Sequence, residues 1–392
     1  MSAYETLKNI FKVIYAPHKA FKEIMPNPKY IGPLLILIFF TLANTGFIYL
    51  MLSKTHVEQT LPTAEERDRW TENRTFWTQT PGVNINENDV DYINGTHYGN
   101  KSIEFSMVNS NHISMQLNDI GSIDCSGQEG YKNISLRIKW ISPESNPENV
   151  TIYLFSSTSS DYFQSNLMEN FSNSTSDIWN NLTIPLGTER WLKASADADW
   201  GNIKGITLEF TWPDDSNITL LVDGLFFRGI FKSFVESAST SYLLNFSLLY
   251  VMQFVTQWVI LSGLIFIMTK AFGAKTVWKP LLILIGFALV ILFVQAIINI
   301  AAFSTLPALY YPLELIGGVK GESEIAYNKL LEETWLVSLI NRYLQIIVYM
   351  WTILLCAIAI RLLTEFSWTK SFLIATVAYL VSILAESFIL GF

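Results

Sequence analysis

Cysteine, histidine and charge are scarce in this chain of 392 residues, which has two cysteines, four histidines and only 15% Asp, Glu, Lys and Arg. Cys125 lies in a polar stretch and Cys356 in an apolar run, so no disulfide between them is expected and they say little about redox compartment. Positive net charge is missing as well. The formal charge is −8, which argues against nucleic acid as a partner. Catalytic and metal-ligand spacings are also lacking: His56, His97 and His112 stand isolated among scattered acids, with no nucleophile–base pairing. The expectation is a protein without enzymatic activity. No cleavable signal peptide is read either, because the basic, amphipathic N-terminal stretch has no small-residue cleavage site after an apolar core.

Apolar residues are plentiful, making up half of the chain. A bilayer core about 30 Å thick needs roughly 20 apolar residues of helix. Five runs reach that length: Ile31–Leu52, Leu243–Thr269, Trp278–Phe303, Leu336–Leu363 and Trp368–Phe392. Lys8, Lys12, Lys19, Lys22 and Lys29 precede the first, Lys270, Lys275 and Lys279 join the second to the third, and Arg361 and Lys370 join the fourth to the fifth. The loop between the third and fourth carries Glu314, Glu322, Glu324, Glu332 and Glu333 against Lys320 and Lys329. Positive-inside reasoning then predicts a plasma-membrane protein with a cytoplasmic N-terminus and an extracellular C-terminus.

The long insertion between the first two spans therefore falls outside. It carries Asn-x-Ser/Thr acceptors at Asn73, Asn94, Asn100, Asn133, Asn149, Asn170, Asn173, Asn181 and Asn217, with a tenth at Asn245 on entry to the second span. None occurs elsewhere, and covalent N-glycans are expected. Residues 53–100 mix charge and apolar residues at helical spacing and predict a juxtamembrane helix or stalk. From Lys101 the period changes to two. KSIEFSMV, HISMQLN, NISLRIKWI, NVTIYLFS, WNNLTIPL, IKGITLEFTW and NITLLVDGLFF read as strands separated by turn clusters such as SPESNPEN and WPDDSN. The expected fold over 101–229 is an all-β sandwich.

The end of that region, DADWGNIKGITLEFTWPDDSNITLLVDGLFFRG, resembles the closing strands of jelly-roll carbohydrate-binding modules of the galactose-binding-like group, through Trp200, Ile206 to Phe210, and Ile218 to Phe227 with Asp223. The resemblance implies a fold more firmly than a ligand. Trp140, Trp179, Trp191, Trp200 and Trp212 are candidate platforms for sugar rings, or else fill the sandwich core. Asp223 is a candidate ligand for a structural calcium, or a turn and hydrogen-bonding residue.

In residues 1–30, Leu7, Ile10, Phe11 and Ile14 share a helical face with lysines opposite, as suits a helix on an anionic membrane surface. Pro17, Ala20, Phe21 and Ile24 follow the pattern P-x-x-A/T-F/W-x-x-I ahead of the first of five spans. With AFGAKTVWKPLLILIGFALV leading into the third span, Tyr4–Leu52 and Leu243–Phe392 resemble the Yip1-domain family. In its eukaryotic members the family is associated with vesicle traffic and small-GTPase partners. The large insertion departs from that pattern and points instead to an envelope or surface role. Residues 243–392 supply four of the five helices of an all-α membrane bundle into which the extracellular jelly roll is inserted.

Polar residues within the spans are Asn44, Gln253, Gln257, Gln295, Asn299, Arg342, Gln345 and Glu386, all at or beyond mid-depth toward the outer leaflet. Either they line a cavity for a small solute or lipid headgroup, or they fix helix packing, with an Arg342–Glu386 pair between antiparallel neighbours. Broken helices and internal repeats of a transporter are not read. In the acidic outer loop, Tyr310 and Tyr311 suit a membrane interface, and the loop either braces the sandwich or simply connects spans. The expected function is binding or scaffolding of an envelope glycan or of membrane-complex subunits by the sandwich. The alternative is transport or lipid handling through the polar cluster.

Overall fold

The computed structural model describes residues 3–118, 120–156, 158, 160–172, 174–237 and 240–391. They form two compact units. A helical unit takes in Met1–Thr55, Ser233–Leu309 and Leu331–Phe392, and a sandwich unit takes in His56–Lys232 and Tyr310–Leu330.

The helical unit has five helices long and apolar enough to cross a membrane. Span 1 is Ile31–Lys54, span 2 is Thr240–Ala271 and span 5 is Trp368–Leu390. Span 3 comprises Trp278–Ala288 and Val290–Ser304, interrupted only at Leu289, whose φ and ψ remain in the right-handed region. This is a kink rather than an unwound segment. Span 4 runs on well before the expected start, over Glu322–Thr364.

Two short helices precede span 1: α1, Ala3–Tyr15, and α2, Pro17–Ile24, with Pro17 in the first turn where its missing N–H costs nothing. Ala20, Phe21 and Ile24 are buried in the bundle core together with Ile10 and Val13. The four motif positions are therefore packing residues or helix starters. The buried face of α1 is Thr6, Asn9, Ile10 and Val13, while Leu7 and Phe11 are exposed. The apolar face read from sequence is thus rotated by one residue, because the small polar Thr6 and Asn9 fit against neighbouring helices.

Span 1 packs on spans 2 and 3, and span 5 packs on span 2. Close approach has a visible cause at two glycines. A Cβ on Gly32 would fall 2.0 Å from the Phe287 ring, and one on Gly286 would fall 2.7 Å from both Pro33 and Trp258 Nε1. The Trp258 Nε1–H donates to the Leu282 carbonyl at 2.7 Å, tying span 2 to span 3.

The sandwich unit is built on one antiparallel sheet of 11 strands among the described residues. They are β1 Thr55–Leu61, β2 Trp77–Thr78, β3 Asn84–Asn88, β4 Ser102–Leu117, β5 Asn133–Ser142, β6 Asn149–Phe155, β7 Tyr162–Asn166, β8 Asn180–Pro185, β9 Leu192–Lys193, β10 Gly205–Ser233 and β11 Leu309–Tyr311. Strands expected as pairs are continuous: β4 joins KSIEFSMV to HISMQLN, and β10 runs through the WPDDSN stretch. The register between them slips between Thr211 and Ser216 and again before Ile218. There Asn109 adopts φ +54° and its N–H donates to Asn217 Oδ1, a conformation asparagine tolerates. At this bend the sheet folds over. Ile206, Leu208, Phe210 and Trp212 before it and Ile218, Leu220 and Val222 after it all enter one core.

The stalk expected over 53–100 is not a helix. Pro62 ends β1, the one short α-helix there is Arg69–Glu72, and Trp70, Trp77 and Val83 belong to the sandwich core. Burying two tryptophans outweighs local helical spacing, since each removes a large apolar area from water.

Tyr310–Leu330 is likewise built into the sandwich unit. Its strand β11 pairs with β1. Leu313 is buried with Tyr98 and Phe226. Arg228 is held between Glu58 and Glu314, and Arg137 donates to Glu322 Oε1 at 3.0 Å and Oε2 at 2.7 Å.

Candidate functional site

Residues from all five spans line a half-open cavity of about 530 Å³ in the helical unit. Its walls include Asn44 of span 1, Gln253 and Gln257 of span 2, Gln295 and Asn299 of span 3, Gln345 of span 4 and Glu386 of span 5. These are seven of the eight polar positions singled out in the spans. Asn44 donates to the Phe40 carbonyl of its own helix at 2.8 Å, Gln295 Nε2 donates to Gln345 Oε1, and Gln253 reaches the Glu386 carboxyl. Phe40, Tyr250, Tyr349 and Tyr379 supply aromatic walls.

Arg342 is the exception. It is exposed, lies outside the cavity lining, and makes no ion pair with Glu386 among the described residues. The expected pair assumed that spans 4 and 5 are neighbours along their length. The two spans do meet, with the Tyr349 and Tyr379 rings 5.7 Å apart, but Glu386 is turned toward Gln253 of span 2 while Arg342 is exposed.

In the sandwich the candidate tryptophans face inward. Trp140, Trp191 and Trp212 are buried in the core, and Trp200 packs against it, stacked on Phe163 at 4.0 Å. Trp179 is half-buried and its Nε1–H donates to Asp91 Oδ1. As a set they form core and edge contacts, not a sugar platform.

Asp223 is fully buried beside Asp68. Its Oδ2 accepts the Ile93 N–H at 2.6 Å and its Oδ1 the Gly224 N–H at 2.7 Å, while Asp68 Oδ1 accepts the Gly99 N–H at 2.7 Å. Oxygens aimed at N–H donors suit a shared-proton carboxyl pair rather than a hard cation. Among the described residues no group of three or more His, Cys, Asp or Glu is arranged to hold a metal. Burial, and then the neighbouring Asp68, raise the Asp223 carboxyl well above the usual range; burial also raises Asp68.

The outward face of the sheet carries aromatics other than the five tryptophans. On β6, Val150, Ile152 and Leu154 point into the core, so Tyr153 and Phe155 point out; on β7, Tyr162 does the same beside the inward Phe163. The three rings touch: Tyr153 lies 5.4 Å and Phe155 5.7 Å from Tyr162, centroid to centroid. Register sets Tyr153 between Thr207 of β10 and Gln164 of β7, with Gln116 of β4 opposite Thr207. Glu209 is one row away, within reach of the Tyr153 hydroxyl and hydrogen-bonded by Ser114 Oγ at 3.5 Å. The alternation in NVTIYLFS, one phase aliphatic and the other ending in aromatics, was the available signal.

Of the acceptor asparagines, Asn73, Asn94, Asn100, Asn149, Asn181, Asn217 and Asn245 are exposed, and Asn133 and Asn170 are half-buried. Asn173 lies outside the described residues.

Five long apolar helices and an antiparallel sandwich define the class: a multi-span membrane protein with an all-β insertion. The family model described as Yip1 domain matches residues 216–389. That range includes most of the C-terminal region that resembled the family, Leu243–Phe392, and leaves the N-terminal motif outside it. No curated protein matches the chain. Similar solved structures include carbohydrate-binding modules. One belongs to a study of promiscuous specificity in the β-sandwich superfamily (11% identity, TM-score 0.27), and the match covers 39% of this chain and 57% of that chain. Another is the family 30 module of a cellulosomal cellulase of Clostridium thermocellum (11% identity, 42% and 90% covered, TM-score 0.29). A third is a family 11 module from Clostridium thermocellum in complex with a β-1,3-1,4-mixed-linked tetrasaccharide (14% identity, 43% and 94% covered, TM-score 0.27).

Proposed function

We propose that this is a non-enzymatic membrane protein of the cell surface whose β-sandwich binds a glycan of the envelope along the outward face of β10, β6 and β7. The observation that carries this reading is the contacting trio Tyr153, Phe155 and Tyr162 beside Glu209 and Gln164. Aromatic faces pack on the C–H face of a sugar ring, while an adjacent carboxylate and amides take its hydroxyls. The three rings are half-buried on the face of the sheet opposite the core, where they add no packing to that core. The positive-inside count and the accessible acceptor asparagines support an extracellular, N-glycosylated sandwich.

The test is to pass the full chain, purified in a detergent free of sugar headgroups, over immobilised envelope polysaccharides. Retention by the wild type and its loss in Tyr153→Ala and Tyr162→Ala, at unchanged melting temperature, is the expected result. Equal retention of the variants, or none by the wild type, overturns the reading. Glycopeptide mass spectrometry at the ten acceptors checks the topology, and unmodified acceptors in the native host would remove that support.

A further inference from the structure

The cavity in the helical unit is separate from the sandwich face and stands on its own observations. Its volume of about 530 Å³ falls in the range of roughly 300–1,000 Å³ usual for small-molecule sites. Helix packing explains part of its lining, through Gln295–Gln345 and Gln253–Glu386, but among the described residues Gln257 and Asn299 make no side-chain hydrogen bond. Among the described residues a single amide–amide hydrogen bond, Gln295 to Gln345, joins two of its six Asn and Gln side chains. Side chains serving only as interhelical links would pair with one another, as Thr45 and Ser247 do between spans 1 and 2 at 2.9 Å. Gln257 is buried and the other five amides are half-buried, and polar side chains converging on one space within membrane spans favour a polar occupant.

The lining also specifies chemistry. Each amide offers both a donor and an acceptor, which matches hydroxyl groups, themselves both donor and acceptor. Among the described residues no lysine or arginine lines the cavity and its one carboxyl is Glu386, so phosphate and carboxylate ligands meet no counter-charge. Tyr250, Tyr349 and Phe40 flank the amides and give an apolar ring a wall to lie against.

We infer that the cavity binds an uncharged, hydroxyl-rich group of about one sugar ring, presented as the headgroup of a glycolipid or as a free sugar. Asn44, Gln253, Gln257, Asn299 and Gln345 take its hydroxyls, and Glu386 accepts from one or two of them.

The experiment places the full chain in phosphatidylcholine nanodiscs doped with monogalactosyl diacylglycerol and measures bound lipid by native mass spectrometry. Tyr153→Ala is introduced throughout, so that capture by the sandwich is not scored. The expected result is retention of the galactolipid, reduced about tenfold in affinity (about 1.4 kcal/mol) by Gln253→Met and by Asn299→Leu, each with unchanged elution volume and helix content. Competition by methyl β-galactoside assigns the site to the sugar itself, and absence of competition assigns it to the lipid-borne headgroup; both agree with the inference. Three results overturn it: no retention of either probe, equal retention of phosphatidylglycerol, or variants that bind as the wild type does. Loss of polysaccharide binding by the sandwich leaves this measurement unaffected, so the two readings fail separately.

Discussion

Arg228 grips Glu58 through two parallel hydrogen bonds, Nε to Oε1 at 2.8 Å and Nη2 to Oε2 at 2.7 Å, with both side chains almost wholly buried. The same guanidinium takes Glu314 in its other fork, at 2.6 and 2.8 Å, while the N–H groups of Gly229 and Leu313 fill the remaining sites on Glu58. One arginine thus locks together β1, β10 and the segment between spans 3 and 4. Burial alone disfavours its charge, but Glu314 and Glu58 more than compensate and hold it ionised. Removing one partner strands buried charge, so Arg228→Met is expected to destabilise the sandwich by about 3–5 kcal/mol. Denaturant unfolding followed by near-ultraviolet circular dichroism measures this, and a loss below about 1 kcal/mol would mean that the network is solvated.

The Asp68–Asp223 pair predicts a pH dependence. Both carboxyls are raised in the folded state, chiefly by burial. A carboxyl raised on folding contributes stability that is fully present below its unfolded value and is lost as pH rises through the folded one. Melting temperature should therefore fall as pH rises above the ordinary carboxylate range, and Asp223→Asn should flatten that fall. Glu314 acts in the opposite sense: burial pushes it up, but Arg228 outweighs this and lowers it, so its contribution is lost only in acid. A wild type whose melting temperature rises with pH above the ordinary carboxylate range, with Asp223→Asn behaving identically, would count against the shared proton.

Tryptophans and outward aromatics should separate cleanly. Trp140 is fully buried in the sandwich core, and Trp140→Ala should cost about 3–5 kcal/mol. Tyr153→Ala, on the open face, should change stability by under about 1 kcal/mol. Thermal unfolding of both variants decides whether the core and the open face are assigned correctly.

In the bundle, Phe21→Ala leaves a cavity beneath α2 and should cost about 3–5 kcal/mol. Gly32→Ala inserts a methyl into the Phe287 ring and should cost about 1–3 kcal/mol through overpacking. Temperature-dependent loss of monodisperse protein in detergent gives the ranking. If the glycine variant behaves as wild type, spans 1 and 3 are further apart than described.

Both thiols are free and buried, and burial pushes the Cys125 thiol up to about 12. Neither should react with maleimide in the folded protein at neutral pH, and both should react in denaturant. Rapid native labelling of Cys125 would show that the segment around it opens.

The spans and the sandwich strands were legible in the sequence because their signals are local. Twenty apolar residues must form a helix in lipid whatever else the chain does, and alternation such as Ile152–Tyr153–Leu154–Phe155 sets the two faces of a strand. The polar positions in the spans were legible too, as costly residues needing a reason.

Which of them meet is not local. Asn44, Gln257, Asn299 and Glu386 converge because span 1 lies on spans 2 and 3 and span 5 on span 2, and Arg342 is left out because its helix turns it elsewhere. The same holds for Trp70, Glu58 and Glu314. Their segments looked like a stalk and a loop that either braced the sandwich or merely connected spans, until a core and a buried arginine, contributed by residues far along the chain, gave them partners. Hydropathy and periodicity are summed along the sequence and so determined the elements. Burial of a charge or an indole depends on who lies opposite, and only the tertiary structure decided that.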